Sequence, residues 1–463
     1  MVRLFSAYFP KRTVFLAVSE TLLMFSVLLV AIFIDPAAKS GLPLLDGREF
    51  LQLALVGLIC LLCLYYQNLY TPRFTTDFRF MLTRAIRGLA SAAIVLAVIY
   101  LLFPAVQLRS GPTTIGILLF GACLVLSRQA FVALNESDRW STPTLVIGDG
   151  PLATYVIEAI QNRPELGLKL IGFISDRSHS VSTCADVRCL GEVEDLDRLV
   201  GQMAVGRVIV AMQDSRARLP IEALLDLKRA GVSIQEGAEF YELTTGRIPV
   251  SIVRPSWLLF GPGFRISKLQ SFYKRVFSFA VALVASVVLL PVMAVMALAI
   301  WMDSPGPALF RQLRVGKGGR PFMLYKFRTM YDQADCGRDP LPVQPNDERV
   351  TRVGRWLRQF RLDEIPQLYN ILMGHMSLVG PRPFVPNQEL ELAQQIPLYK
   401  QRWAVRPGAT GWAQVQRGYC ATVDDNVEKL AYDLFYIKNM SIGFDLLILL
   451  KTLKIVFAGI GGR

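Results

Sequence analysis

Histidine is nearly absent: the 463-residue chain holds two, His179 and His375. A mechanism that needs a histidine base or a polyhistidine metal cage is therefore disfavoured. Charge is scarce as well, at 19% of residues against about 25% in ordinary soluble proteins. Hydrophobic residues make up 52% and the mean hydropathy is +0.38, which excludes a disordered or acidic solvating chain and argues against a freely soluble enzyme. Of the seven cysteines, Cys60, Cys63 and Cys123 lie in apolar runs, and Cys184, Cys189, Cys336 and Cys420 lack zinc spacing. The C-x-x-C of Cys60 and Cys63 sits in LVGLICLLCLYY and reads as packing in a membrane helix rather than redox chemistry. Such usage suits soluble parts in a reducing cytosol. Acidic residues are outnumbered, 37 against 50 Lys and Arg, so the net charge of +13 calls for a negatively charged partner. Nucleic acid, anionic lipid headgroups and phosphorylated small molecules all qualify.

What is abundant is long apolar sequence. At roughly 150 residues per domain the length suggests about three units. Residues 14–34, 51–70, 89–106 and 113–127 are apolar runs near the roughly 20 residues that a bilayer core requires. The fourth is the shortest and is followed by Arg128. No small-residue cleavage site follows the first, so it reads as a retained span. Arg3, Lys11 and Arg12 precede the first run, and Arg73, Arg79, Arg84 and Arg87 separate the second from the third. The other two loops hold only Lys39, Arg48 and Arg109, so both ends of a four-helix unit over 1–140 are expected to face the cytoplasm.

Over 141–262 the pattern changes to alternating strand and helix, as in a Rossmann-like α/β domain. TLVIG (144–148), LKLIGFISD (168–176), GRVIVAM (206–212) and VSI (232–234) read as strands. GPLATYVIEAIQN and EALLDLKRA read as helices. Gly148, Gly150 and Ala153 satisfy a G-x-G-x-x-A dinucleotide fingerprint, and Asp176 closes the second strand where a ribose-binding acid could sit. Glycine turns also serve plain strand-to-helix packing, so nucleotide binding stays open. The domain is equally open to a regulatory role or to self-association as a homodimer.

Residues 276–302 form a second kind of apolar run, uncharged throughout. Lys268, Lys274 and Arg275 precede it, and Arg311, Arg314, Lys317 and Arg320 follow it, so both flanks are expected on the cytoplasmic side. Pro291 at its midpoint lacks a backbone donor and clashes with the carbonyl four residues back, which predicts a break or sharp kink. A re-entrant helix that bends at Pro291 and returns to one face satisfies both flanks. The alternative is a single span with the remaining residues outside.

The 263–463 region is dense in cations, with glycine and proline turns between them. A basic nucleic-acid surface is disfavoured because the adjacent Asp363 and Glu364 would repel a nucleic-acid backbone. Pro366 disfavours helix at Ile365 and suits a first helical position, which places the acidic pair just ahead of a helix, PQLYNILMG, with an anion-attracting end. A carboxylate there can attack phosphorus if Mg²⁺ and arginines offset the phosphate charge. The plain alternative is that the pair caps the helix and bonds Arg358 and Arg361.

Three segments carry a resemblance: FRQLRVGKGGRPFMLYKFRTM, LRQFRLDEIPQLYNILMGHMSLVGPRP and RPGATGWAQV. In this order they resemble the bacterial polyprenyl-phosphate sugar-phosphate transferases, the monotopic phosphoglycosyl transferases, over about 268–457. The four spans and the Rossmann-like region resemble the large, exopolysaccharide-initiating branch, similar to undecaprenyl-phosphate glucose or galactose phosphotransferases. The resemblance implies transfer of a sugar phosphate from a UDP-sugar to polyprenyl phosphate with Mg²⁺ and release of UMP. It implies that Asp363 is the nucleophile and that Glu364 binds metal with it or deprotonates the lipid phosphate. Arg358, Arg361 and Arg382 match positions near the phosphates, and Lys326 and Arg328 occupy the KFRTM motif. It further implies a re-entrant helix, a multi-pass location in the bacterial inner membrane with the catalytic domain on the cytoplasmic face, inner-membrane lipids as partners and no nucleic acid.

Two departures from that pattern stand out. Leu290 precedes Pro291 where members commonly have Ser, and His375 replaces the Asp of Gly-Asp-Met-Ser; it is expected to be a tolerated structural substitution rather than a ligand. The segment 445–460, with Lys451 and Lys454 among apolar residues, reads either as an interfacial helix that guides lipid or as a packing helix. Trp403 and Trp412 fit the interface or the core. Two other function classes compete. A membrane-anchored nucleotide-sugar dehydratase needs a Tyr-x-x-x-Lys pair, and the chain has none. A membrane scaffold or nucleotide sensor would use the middle domain alone.

Overall fold

The computed structural model describes residues 2–4, 7–34, 47–70, 78–107, 110–136, 141–175, 187–212, 219–252, 264, 267–331, 347–417 and 422–457. Two short strands, β1 (Val2–Leu4) and β2 (Ala7–Phe9), pair at the start. Beyond them the chain divides into two compact units, Phe9–Gly237 and Ala238–Arg463.

The first unit opens with four long helices, α1 (Lys11–Ile34), α2 (Gly47–Tyr66), α3 (Phe78–Leu102) and α4 (Ser110–Glu136). Each is long and apolar enough to cross a membrane. Leu28, Val56, Leu64, Phe120 and Leu124 fill the space between them, while Phe15, Leu58, Ile94 and Leu118 point outward. In lipid the outward set needs no partner, so apolarity all round these helices is expected. Helix boundaries exceed the apolar runs. α3 begins at Phe78 and so includes Arg79, Arg84 and Arg87; Arg84 stretches to donate to the Asn68 carbonyl at 3.3 Å and lies over the Phe80 ring at 4.1 Å. Charge at a helix end is tolerated when the head group reaches a polar partner. α4 runs past Arg128, because that buried guanidinium meets Glu20 of α1: Nη2 donates to Oε2 at 2.9 Å, and Nη1 donates to the Leu69 carbonyl at 3.0 Å.

The rest of this unit is a five-stranded parallel sheet in the order β5, β4, β3, β6, β7. Its strands are β3 (Thr142–Ile147), β4 (Leu168–Ser175), β5 (Cys189–Glu192), β6 (Arg207–Val210) and β7 (Ser233–Glu236). Between them lie α5 (Pro151–Gln161), α6 (Leu196–Met203) and α7 (Ile221–Arg229). Leu145, Ile147, Ile174 and Val208 are fully buried, so the strands read as continuous apolar runs, as a sheet covered on both faces requires. β5 has no clear period in the sequence and is a four-residue edge strand stabilised by pairing with β4; α6 keeps a helical period in Leu196, Leu199, Val200 and Met203, which face the core.

The second unit begins with α8 (Gly237–Thr245) and continues to α9 (Lys268–Asp303). α9 is one helix across Pro291, so of the expected break or sharp kink the break does not occur. The proline removes one donor, and one turn earlier Ser286 Oγ donates back to the Ala282 carbonyl at 2.6 Å, a contact that favours bending over breaking. After α9 come a hairpin of two seven-residue strands, β8 (Leu309–Val315) with β9 (Pro321–Phe327), then α10 (Arg352–Gln359), α11 (Gln367–Met373) and β10 (Ser377–Val379). β10 pairs in parallel with β11 (Gly408–Thr410), and α12 (Pro386–Gln395) lies between them in sequence. The unit closes with α13 (Trp412–Gln416), α14 (Val423–Lys438) and α15 (Ile442–Phe457).

Candidate active site

The local chain path places Asp363 and Glu364 on a tight turn. Thr351 caps α10 by accepting from the Gly354 amide at 2.9 Å. Gly354 is needed there, because a Cβ would meet the Thr329 carbonyl oxygen at 2.2 Å. α10 ends at Gln359, and Arg361 then takes a left-handed conformation, φ 54°. A non-glycine residue in that region costs about 1–2 kcal/mol. The strain turns the chain into a 3-10 turn, Leu362–Glu364, immediately before α11. Ile365 is helical, φ −55° and ψ −40°, although proline follows it, so the turn and α11 run nearly continuously. Leu362 and Ile365 pack on a core of Met296, Ile300, Phe327 and Leu357, which fixes the pair against the end of α9.

Glu364 Oε1 accepts from Lys326 Nζ at 3.1 Å and from Arg382 Nη2 at 2.8 Å. Burial works to raise the Glu364 carboxyl, but Arg382, Lys326 and Arg361 outweigh it and hold it well below the usual carboxylate range. Asp363 is 9% exposed. Its carboxyl is pushed up by burial and by the neighbouring Glu364 charge, against the pull of Lys326, Arg358 and Arg382. The two adjacent acids are thus driven apart: one firmly ionised, one poised higher. Such splitting is the mark of a site with divided roles.

The other predicted residues separate into two groups. Arg358 lies by Asp363 and donates from Nε to Thr329 Oγ1 at 2.8 Å; Arg361 and Arg382 face Glu364. Arg328 lies elsewhere. Its Nη1 donates to the Pro305 carbonyl at 2.8 Å and its Nη2 to the Ser304 carbonyl at 2.6 Å, so it clamps the end of α9 instead of facing a phosphate. Alternation along a strand would put Lys326 and Arg328 on one face, but β9 ends at Phe327, and past its end the carbonyls of Ser304 and Pro305 draw Arg328 away. His375 is exposed, with its ring 6.0 Å from that of Phe322.

Several further residues join the site that the sequence does not single out as site residues. Arg314, on β8, donates from Nη1 to the Pro383 carbonyl at 3.2 Å; burial and the repulsion of Arg382 pull it down to about 10. Its Nε is buried without a hydrogen-bond partner among the described residues, as a phosphate-facing arginine would be before substrate arrives. Asn370 is fully buried on α11 and binds β9 at both ends of its amide, accepting from Tyr325 N at 3.1 Å and donating to the Met323 carbonyl at 2.6 Å. Arg275 caps α11 by donating to the Ile371 and Leu372 carbonyls. Beneath Arg382, the buried Arg402 donates to its carbonyl at 2.8 Å, to Asp433 Oδ2 at 2.9 Å and to Glu389 Oε1 at 3.2 Å. Only the cationic motif around Arg314 could have been noticed in advance.

Asp363 and Glu364 are also the residues that would hold Mg²⁺. No three Asp, Glu, His or Cys side chains converge among the described residues, so the protein offers two carboxylates and no closed cage. That donor set fits Mg²⁺, which keeps few protein ligands and takes its remaining oxygens from phosphates and water.

In the first unit, Gly148 has φ +126°, and a Cβ on it would meet the Ala211 carbonyl at 2.7 Å. Close packing against the end of β6 therefore accounts for this glycine. Gly150 precedes α5 in extended conformation, and Asp149 beside it accepts from Ser175 Oγ at 2.7 Å. Asp176 lies outside the described residues.

α15 presents one face to the core, through Phe444 and Ile448, and an exposed face with Leu446, Leu450 and Leu453. Lys451 is not held out at a surface: its Nζ lies over the Trp412 ring at 4.5 Å, and burial pulls it down to about 8. Trp412 is a core residue, and Trp403 donates to Glu389 Oε2 at 3.0 Å.

Fold and site together define a protein with membrane-length helices and a carboxylate pair set in a buried cage of arginine and lysine. The chain belongs to the bacterial sugar transferase family, whose model matches residues 269–459. A CoA-binding domain model matches 67–234. Among curated relatives, a UDP-N-acetylgalactosamine-undecaprenyl-phosphate N-acetylgalactosaminephosphotransferase of Aeromonas hydrophila is 39% identical over 50% of this chain and 54% of its own length. A UDP-glucose:undecaprenyl-phosphate glucose-1-phosphate transferase of Escherichia coli is 33% identical over 68% of this chain and 67% of its own. An exopolysaccharide production protein of Rhizobium leguminosarum is 42% identical over 39% of this chain and 92% of its own. The chain spans about half of the Aeromonas relative's length and two thirds of the Escherichia coli relative's.

Proposed function

We propose that this protein transfers a sugar 1-phosphate from a UDP-sugar to undecaprenyl phosphate, releasing UMP, as an early membrane step of exopolysaccharide or related glycan synthesis. The observation that carries this reading is the adjacent pair itself, Asp363 buried and Glu364 bonded to Lys326 and Arg382, with Arg358 beside Asp363. In the first half-reaction an Asp363 carboxylate oxygen attacks the sugar-bearing phosphorus. The bond from that phosphorus to the bridging oxygen breaks, and UMP leaves with the electron pair. In the second, an oxygen of undecaprenyl phosphate attacks the same phosphorus and Asp363 is released. Arg382, Arg358 and Arg314 stabilise charge on the phosphoryl oxygens, and Lys326 holds Glu364 in place. Glu364, held ionised, would help hold the metal; a carboxylate lowered this far is a weak acceptor for the lipid phosphate proton, which makes that second role the lesser one. Mg²⁺, when bound by the pair and the phosphates, neutralises charge and polarises the phosphoryl oxygens.

In this reading α9 is re-entrant and the second unit lies on the cytoplasmic face of the inner membrane, where nucleotide sugars are. Three features support that: basic residues flank the apolar run on both sides, Pro291 lies at its midpoint, and both ends of α9 are anchored in one unit. Arg275 holds α11 near one end, and Asp303 accepts from the Val353 amide at 3.0 Å at the other. Straight, the helix would be about 54 Å long.

The test is release of UMP by the purified full chain given Mg²⁺, undecaprenyl phosphate and each of a panel of UDP-sugars. No release from any of them refutes the transfer. A pH profile examines the site more closely. The nucleophile must be ionised, so activity is present above the Asp363 pKa and is lost as pH falls through it. Because that pKa is raised, the acid limb of kcat/KM lies above the ordinary aspartate value of about 3.9, and Glu364 adds no limb in this range. In Glu364→Gln a repelling charge is gone and its two cations turn to Asp363, so the limb moves to lower pH. An unmoved limb would show that another group titrates.

A further inference from the structure

At the opposite end of α11 from the carboxylate pair lies a second cationic cleft. Lys274, Arg275 and Ser278 of α9 line one side, and Lys317, Ser377 and Arg406 line the other. Its free volume is about 30 Å³, against roughly 10–15 Å³ for one water, which is room for the oxygens of a small anion and not for a sugar or nucleotide. No carboxylate lines it. Lys274 is answered from below by Asp445, which also accepts from the Tyr436 hydroxyl at 2.7 Å. Arg275 donates to the carbonyls that end α11 and lies over the Phe279 ring at 5.7 Å, and Arg406 is near enough to repel it. Among the described residues neither Lys317 nor Arg406 makes an ion pair. Lys274 is thus balanced, while Arg275, Lys317 and Arg406 bring like charge to a lining without a carboxylate, and an anion there would relieve their repulsion. The hydroxyls of Ser278 and Ser377, 2.9 Å apart and bonded to each other, can offer one hydrogen between them to an anion.

We propose that this cleft binds a phosphate group, at a site separate from the carboxylate pair by about 10 Å, the length of the seven-residue α11. Arginine and lysine donors around a tetrahedral oxyanion are the expected recognition chemistry. Lys274 and Arg275 directly precede the uncharged run 276–302, so the cleft stands at the depth of lipid headgroups wherever that run is in the bilayer. A phosphate held there ties the base of α9 to α11, whose other end carries Asp363 and Glu364. The inference rests on the cleft and the apolar run, and does not require the transfer reaction.

The experiment titrates the full chain in neutral detergent by calorimetry with inorganic phosphate and, separately, with dihexanoylphosphatidylglycerol. Saturable binding is expected that weakens roughly tenfold or more in Arg406→Gln or in Lys317→Gln, the loss of a charge-assisted hydrogen bond, and persists in Lys326→Gln, which disturbs the other site. Tighter binding of the lipid identifies a headgroup as the natural source, and tighter binding of inorganic phosphate identifies a free anion; each supports the site. Absence of saturable binding by both ligands overturns it. So does binding that is lost in Lys326→Gln and unchanged in both cleft variants.

Discussion

Asp363→Asn is expected to lower UMP release at least about 10⁴-fold while leaving the protein folded. A nucleophile acts as a unit with its stabilising groups, and its loss leaves only binding and charge stabilisation. The amide has the size of the carboxylate but no negative oxygen to offer phosphorus. Stability should not fall with activity, because burial and Glu364 both oppose the Asp363 charge, and removing that charge relieves them. Thermal unfolding of the variant should match or exceed that of the parent. A second readout isolates the covalent step: the parent given UDP-sugar without lipid acceptor gains the mass of one sugar phosphate, and the variant does not. Activity above about 1% of the parent's would rule out Asp363 as nucleophile. Failure of both proteins with every UDP-sugar would instead fault the transfer reading.

The largest expected effect on stability comes from a residue that need not touch substrate. Arg402→Met removes the cation bonded to both Glu389 and Asp433, all three of which are buried. Two carboxylates then face each other without solvent, which costs about 3–5 kcal/mol. For a unit of this size the unfolding midpoint should drop by roughly 10 °C. Activity should fall too, because Arg402 also holds the Arg382 carbonyl, and Arg382 is paired with Glu364. The two effects can be separated. Adding Glu389→Gln and Asp433→Asn to Arg402→Met should restore much of the stability, since no charge is left buried, but not the kcat, since Arg382 is still unanchored. Recovery of both would show that Arg402 acts on stability alone.

The apolar runs were legible because a membrane helix advertises itself in consecutive residues, without reference to any partner. The parallel sheet was legible for the same reason: β3, β4 and β6 are short apolar runs bounded by turns, and α5 and α7 keep a helical period. The boundaries were not. α3 and α4 reach beyond their apolar runs because Arg84 and Arg128 find partners at Asn68 and Glu20, residues distant in sequence. The role of Gly148 also needed the neighbouring strand, since only Ala211 explains why no side chain fits.

At the candidate site, sequence alone determined that adjacent acids lie in a cationic stretch beside a short helix and an uncharged apolar run. These are properties of neighbours along the chain, and they survive any fold. Only tertiary structure decided which cations face the acids. Lys326 and Arg328 stand two residues apart, yet one meets Glu364 and the other the end of α9. Arg314, Asn370 and Arg402 entered because strands and helices far apart in sequence bring them to Arg382, to β9 and to the buried carboxylates. The unequal ionisation of Asp363 and Glu364 belongs to the same class: one dipeptide, two environments, set by how much water each loses and which charge each gains.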